Sequence, residues 1–507
     1  MRPMWQVICI LLGSSTFASA QEAPPLSAID WLSDSVASSE AEGDDGFRPE
    51  TALSASIPTV SVTSLDVESP NSLGIIDPET AGLPSNLWDK SDEITLIELV
   101  GALPPPKLPV LRDLLVSMMI AETTAPLGST KEGEFYLARV DQLLALGRLE
   151  EVRALLQAGD IATPEAFRRY FDVSLLTGSE DDACDIMSSR PSVAPTYPAR
   201  IFCLARSGDW PAAALTLNTH RALGDISDED ELLLSLFLDP EVVELQVEIQ
   251  RPSRVTPLVF RMREAIGESL PTIDLPLAFA HADLRDTNGW KVQLDAAERL
   301  ARQGALDPSV LKDLYTSRRA SASGGVWDRV DAFQKFDQAI IDEDRRAITT
   351  SLPGAYKAMA EIGYRSQFAT LYADDLREIR PTRRTREILQ SLELLSVRNI
   401  EATLETVEDP FLRALAEGRP QEVRAVTPKR LAVQSAFNGA AIPERLALAL
   451  DQGKAGEVIL QAMAMLDAGL DGDLAALTDA VAVFRKAGME LTARQIGIQF
   501  LILDQTE

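Results

Sequence analysis

The stretch of residues 135–223 contains one pattern three times: Gly147-Arg-Leu-Glu-Glu-Val, Gly178-Ser-Glu-Asp-Asp-Ala and Gly208-Asp-Trp-Pro-Ala-Ala. Each copy interrupts an apolar helical run and begins another, and the glycines are 31 and 30 residues apart. This period is typical of stacked helical hairpins, because a single hairpin cannot bury its apolar face without neighbours. The pattern therefore predicts an all-α protein built from helical hairpins.

The same pattern returns near the C-terminal end, as Gly418-Arg-Pro-Gln-Glu-Val, Gly453-Lys-Ala-Gly-Glu-Val and Gly488-Met-Glu-Leu-Thr-Ala, 35 residues apart each time. Sustained alternation of apolar and polar residues is missing, so we expect strands to be nearly absent. Several prolines between residues 250 and 276 favour a soft boundary there. The sequence thus predicts N-terminal, middle and C-terminal helical regions at residues 99–250, 251–400 and 401–507.

A small or β-branched residue stands five positions after each of these glycines: Val152, Ala183, Ala213, Val423, Val458 and Ala493. In this respect the turns resemble the inter-helix turn of tetratricopeptide repeats, in which a small residue at that position packs between the two helices. The usual aromatic residue two positions into the turn is present only as Trp210. The resemblance implies a divergent, right-handed solenoid of helical hairpins that binds protein or peptide.

The first 20 residues have the features of a secretory signal: one Arg, an apolar run from Val7 to Leu12, and the small residues Ala18 and Ala20. We expect cleavage after Ala20 and a periplasmic location, and no later run predicts a transmembrane anchor. Removing this segment leaves 47 basic and 77 acidic residues. Such a charge disfavours nucleic acid as a partner, because phosphate binding requires a basic surface.

Residues 21–98 are strongly acidic and rich in serine and proline. They contain 16 acidic residues against Arg48 and Lys90. A segment of this composition buries too little apolar surface to offset its ordering entropy, so it predicts a disordered acidic arm.

One short segment of the arm is amphipathic, and its candidate contact residues are Leu26, Ile29, Trp31, Leu32 and Val36. Apolar residues at helical spacing are typical of a peptide that binds in the groove of a partner. Two alternatives remain open: the segment docks on the helices of its own chain, or it is simply the region that follows the signal.

Two cysteines remain after processing, Cys184 and Cys203. In the repeat pattern, one lies early in a second helix and the other late in the following first helix, so antiparallel packing brings them level. An exported protein with an isolated pair of this kind favours a disulfide. The alternative is two buried free thiols.

The chain has only two histidines, His220 and His281, and no phosphate-binding glycine motif. These residues are too few for a histidine-based triad or metal site, so we predict no catalytic residue, no metal and no cofactor. The strongest basic cluster consists of Arg377, Arg380, Arg383, Arg384 and Arg386. It is a candidate anion-binding patch, for example for the acidic arm, and the alternative is a solvated turn balanced by nearby acids.

Taken together, these features predict an exported scaffold or adaptor that binds a protein or peptide partner in the cell envelope. The alternative is a non-catalytic helical module that binds peptidoglycan or assists a lytic transglycosylase, since some of those enzymes carry a superhelical repeat module. Glu268-Ser269 is the only Glu-Ser pair in a suitable context, and the glycine-rich signature expected after it is missing. The sequence therefore does not support the transglycosylase reaction itself.

Overall fold

The computed structural model describes residues 29, 31–33, 69–239, 249–320, 322–396 and 407–503. Within these ranges the chain forms 23 α-helices and no strand, and its only bridges are the isolated pairs Ile76 with Ala121 and Asp92 with Leu127. The predicted all-α class is confirmed for this part of the chain. The repeat family, the handedness of the stacking and the three regional boundaries stay predictions.

The N-terminal helices are α1 Glu93–Ala102, α2 Pro109–Ile120, α3 Glu134–Ala145, α4 Leu149–Ala158, α5 Pro164–Thr177, α6 Glu180–Ser189, α7 Tyr197–Arg206, α8 Trp210–Leu223 and α9 Asp228–Leu238. The middle helices are α10 Pro257–Ala265, α11 Ala280–Asp283, α12 Trp290–Arg302, α13 Pro308–Thr316, α14 Val326–Ile341, α15 Arg345–Glu361, α16 Arg365–Leu376 and α17 Arg386–Leu395. The C-terminal helices are α18 Pro410–Ala416, α19 Pro428–Phe437, α20 Glu444–Asp451, α21 Ala455–Leu470, α22 Leu474–Lys486 and α23 Glu490–Leu503.

Proline marks many of the helix starts. Six α-helices in the described ranges begin at a proline, which lacks the N–H that would remain unpaired at this position and has a φ already suited to the helix. These residues are Pro109, Pro164, Pro257, Pro308, Pro410 and Pro428.

The glycines of the repeat pattern lie at the ends of helices, as predicted. All six have φ between 73° and 87°, a left-handed conformation in which glycine avoids the strain of a side chain. At five of these turns the residue five positions later is fully buried: Val152, Ala183, Ala213, Val458 and Ala493. The sixth turn differs, because Gly418 leads into a short 3-10 helix at Pro420–Glu422 instead of a second α-helix, and Val423 is only half-buried.

The packed body begins earlier than the sequence indicated. Residues 69–98, assigned above to the disordered arm, include the buried Leu83, Leu87 and Trp88 and most of α1. The Trp88 ring packs edge-on against Phe135 of α3, with 5.3 Å between ring centres. The acidic composition concealed a short apolar cluster that is sufficient to anchor this segment.

The first helices also contact the last ones. Trp88 lies against Gly456 at the start of α21, where an added Cβ would come within 2.3 Å of the indole ring. The Gly456 N–H donates to the Leu87 carbonyl over 3.1 Å, and Lys107 pairs with Asp467 and Asp471 of the same region at 3.1 and 2.6 Å. In a solenoid, each repeat contacts only its neighbours. The repeat pattern therefore did not predict this contact between the first and the last helices.

Candidate functional site

The segment that the sequence singled out as a binding peptide is docked on the helices of its own chain. Trp31 is 9% exposed and Leu32 is fully buried. The Trp31 ring meets Phe279 edge-on with 5.5 Å between ring centres, and Phe279 meets Phe260 of α10 in the same way, also at 5.5 Å. An aromatic pocket between α10 and the start of α11 therefore holds the indole. We call residues 29 and 31–33 the docked segment.

Polar side chains bind the main chain beside the tryptophan. The Asp172 carboxylate accepts hydrogen bonds from the Ser33 N–H and the Ser33 hydroxyl, both over 2.7 Å. The Arg168 guanidinium donates to the Ser33 carbonyl over 2.8 Å, and Arg254 donates to the Leu32 carbonyl. Three of these four bonds go to backbone atoms, and the Leu32 N–H donates to the Ile29 carbonyl over 3.2 Å, so the groove recognises a turn of the chain that carries one aromatic and one hydroxyl side chain.

The position of these groups follows from helix α5. Arg168 and Asp172 are four residues apart and hence share one helix face, and both are buried. On another side of α5, Arg169 forms a two-pronged ion pair with Asp141 of α3, at 2.6 and 2.8 Å. Such paired bonds fix the orientation of a guanidinium as well as its distance, so α5 is held firmly while its other face binds the docked segment.

The electrostatics of the groove depend on Asp172. Burial raises the pKa of this carboxyl to about 6, although the Ser33 bonds and the positive charges of Arg168 and Arg254 act to lower it. A fully buried carboxylate loses its hydration, and only specific donors compensate for that loss. Ser33 supplies two of these donors, which couples the docked segment to the charge of Asp172.

A pH dependence follows from this pKa. The folded protein keeps the Asp172 proton at pH values where the unfolded chain, with an ordinary value near 3.8, has released it. This group therefore adds stability below pH 4, and that contribution is lost as the pH rises through about 6. We expect the free energy of unfolding of the wild type, minus that of Asp172→Asn, to fall by about 1.4 kcal/mol for each pH unit across this window. Urea unfolding of both proteins at several pH values measures it, and a constant difference would contradict the assignment.

The structure describes three of the five residues predicted to form the binding peptide. Ile29, Trp31 and Leu32 pack against the core, which matches the alternative in which the segment docks on its own chain. Leu26 and Val36 lie outside the described residues. The sequence analysis missed Arg168, Asp172 and Arg254 as groove residues. The only available signal was the pair of charges Arg168 and Asp172, four residues apart in the largely buried α5, and it did not indicate a bound segment.

The two cysteines are joined as predicted. Cys184 of α6 and Cys203 of α7 have their sulfurs 2.01 Å apart and their Cα atoms 5.1 Å apart. Both residues are buried between the two helices. The pair therefore links the second helix of one hairpin to the first helix of the next.

The basic cluster at the end of α16 is partly neutralised. Arg377 pairs with Asp374 at 3.0 Å and Arg386 with Glu408 at 2.8 Å, as the solvated-turn alternative expects. Arg380, Arg383 and Arg384 are exposed and have no hydrogen-bond or ion-pair partner among the described residues. Residues 34–68 are not described, so contact of this cluster with the acidic arm stays a prediction.

The histidines have structural partners. His281 Nε2 lies 2.8 Å from the Gly147 carbonyl oxygen, and burial lowers the pKa of His281 to about 4, so the neutral ring donates this hydrogen bond. His220 stacks on Tyr197 and lies 2.8 Å from Asp225. Over the described ranges, no three His, Cys, Asp or Glu residues are grouped so that they would hold a metal ion.

Within the described parts of the chain, no helix has the length and apolar character required to cross a membrane.

Comparisons with protein families, with curated proteins and with solved structures found no match to this chain.

Proposed function

We propose that this protein is an exported helical-repeat scaffold that binds protein partners in the cell envelope through a short peptide segment. The observation that carries the proposal is the groove formed by α5, Arg254 and Phe279, which binds residues 31–33 through their backbone, one hydroxyl and one indole. Backbone recognition does not depend on the flanking sequence. A partner that presents an aromatic residue and a serine at the same spacing therefore meets the same set of contacts.

Three further features support this reading. The resemblance of the glycine turns to tetratricopeptide repeats favours peptide binding, and the Cys184–Cys203 bond agrees with an oxidising compartment. The described residues of the docked segment also leave part of the groove open. A space of about 470 Å³ remains beside Trp31, lined in part by Val255, Leu275 and Pro276, which leaves room for a larger partner side chain.

In this proposal the docked segment acts as a tethered competitor. A peptide attached to the same chain has a high effective concentration at its groove, so a free partner must displace it. The wild-type protein then binds partners weakly, and any change that releases the segment exposes the groove.

The test uses the full-length protein with Trp31→Ala and a labelled synthetic peptide that spans residues 24–38. We expect the peptide to bind the variant and to bind the wild type roughly tenfold or more weakly, because only the wild type retains its own competitor. Fluorescence anisotropy measures both affinities. The same peptide with alanine in place of its tryptophan is the matched control and should bind neither protein.

A photo-crosslinking residue at Val255 extends the test to intact envelopes. Crosslinked partners should increase in the Trp31→Ala background and should disappear when the synthetic peptide is added in excess. If the unaltered peptide fails to bind the variant, the groove is not a peptide site and the proposal fails.

A further inference from the structure

A second site lies where the N-terminal, middle and C-terminal helices meet. It is a cavity of about 780 Å³, a volume within the range of small-molecule sites. Five of its lining residues carry positive charge: Lys107, Arg112, Arg299, Arg302 and Arg365. Among the described residues, the lining contains no Asp or Glu, whereas the chain as a whole has a net charge of −29.

Three of these arginines are held by neutral groups. Arg112 donates to the Arg302 carbonyl over 2.6 Å at the end of α12. Arg365 donates to the last two carbonyls of α23, those of Ile502 and Leu503, over 3.2 and 3.0 Å, and Arg299 donates to the carbonyls of Thr272 and Leu275. A backbone carbonyl fixes the direction of a guanidinium but does not cancel its charge, so the cavity retains positive charge.

Acidic groups outside the lining compensate the positive charge of only some of these residues. Lys107 is paired with Asp467 and Asp471, Asp283 stabilises the charge of Arg299, and Asp113 acts in the same way on Arg112. Arg302 is exposed, and its side chain has no hydrogen-bond or ion-pair partner in the described part of the chain. Arg302 and Arg365 are therefore the cations with the least compensation.

Arg112 gives an independent indication of a ligand. It is only 5% exposed, and its Nε has no hydrogen-bond partner among the described residues. Its Nη1 is occupied by the Arg302 carbonyl, and no bond is made by Nη2 within the described ranges. A buried guanidinium with unused donors is costly unless an acceptor completes its hydrogen bonds.

We propose that this cavity binds a small organic anion with at least two phosphate or carboxylate groups. Guanidinium groups bind both kinds of oxyanion in a two-pronged geometry. Arg112 on α2, Arg302 on α12 and Arg365 on α16 converge from three separate parts of the chain, so one anion with two charged groups bridges them. The apolar remainder of the wall, which includes Leu146, Leu277 and Leu503, accommodates the carbon skeleton that joins the charged groups.

Binding at this place has a structural consequence. The anion binds the folded state only, because the three arginines are far apart in the unfolded chain, so it raises the melting temperature by an amount that grows with the logarithm of its concentration above Kd. The site is distinct from the peptide groove, which binds a short turn of the chain at α5, and the proposed peptide binding does not depend on it.

The experiment is a titration of the full-length protein at low ionic strength with pyrophosphate and, separately, with citrate, followed by calorimetry and by thermal unfolding. We expect at least one of the two probes to bind and to raise the melting temperature. Arg302→Gln should weaken that binding roughly tenfold or more, since a charge-assisted bond is lost. This variant suits the test because Arg302 makes no side-chain bond within the described ranges, so the fold does not rely on it.

The matched control is Arg200→Gln, which removes an arginine that is exposed, has no side-chain partner within the described ranges and lies outside both the cavity lining and the basic cluster around Pro381. Its affinity for either probe should equal that of the wild type. Binding of pyrophosphate alone identifies a phosphate ligand, and binding of citrate alone identifies a polycarboxylate. If neither probe binds, or if both variants weaken binding equally, the proposal is overturned.

Discussion

Replacing Trp31 with alanine is expected to release the docked segment from its groove. Trp31 is only 9% exposed, and its ring packs edge-on against Phe279. Truncating a buried tryptophan to alanine typically costs about 3–5 kcal/mol. This loss shifts the equilibrium of the segment from bound to free by a factor of roughly 100 or more, and it leaves Leu32 and the four hydrogen bonds as the main remaining contacts.

Hydrogen exchange measures this release. The Ser33 amide donates to the buried Asp172 carboxylate and is expected to be protected in the wild type and to exchange freely in Trp31→Ala. The matched control is Trp210→Ala, which removes a tryptophan that is 48% exposed and packs on Phe237; protection of Ser33 should be unchanged. Persistent protection in Trp31→Ala would mean that the polar contacts alone hold the segment.

Loss of the Cys184–Cys203 bond should have the second largest effect. The cysteines are 19 residues apart, and closing a loop of this length lowers the entropy of the unfolded chain. In the loop-entropy description this stabilises the folded state by about 3 kcal/mol. We expect the double variant Cys184→Ala, Cys203→Ala to lose about this free energy of unfolding, as measured by urea denaturation.

The reductant provides the internal control for this prediction. Wild-type protein unfolded in the presence of a reductant should match the double variant, and the double variant should not respond to the reductant. Mass spectrometry verifies that the wild-type thiols are then free. An unchanged unfolding midpoint in the fully reduced wild type would show that the bond has no stabilising role.

The local part of the fold could be predicted from the sequence. The turn glycines and the small residues after them act within one hairpin, so their spacing was sufficient to place five of the six turns. The exception at Gly418 has a local cause that the pattern also contains: Pro420 stands at the second position after the glycine, and the chain forms a short 3-10 helix there. The same position after Gly208 is Trp210, which begins α8.

The sites could not be predicted in the same way, because their members are distant in sequence. Arg112, Arg302 and Arg365 meet in the cavity only after the helices have packed, and nothing in their flanking residues distinguishes them from surface arginines. Asp172 likewise depends on Ser33, 139 residues away. The composition also placed the end of the arm too late in the sequence, because the acidic residues around Trp88 outweighed its apolar neighbours.

The contact of Trp88 with Gly456 has a consequence for how the protein folds. Helices α1 and α2 complete their core only when α21 and α23 are present, and Lys107 and Asp471 are separated by 364 residues. Contacts over such sequence distances slow folding, because the entropy of closing the loop is lost before any contact forms. A protein is synthesised from its N-terminal end. Trp88 and its apolar neighbours are therefore exposed until the last helices have been synthesised. During that interval the chain is open to aggregation and to binding by chaperones.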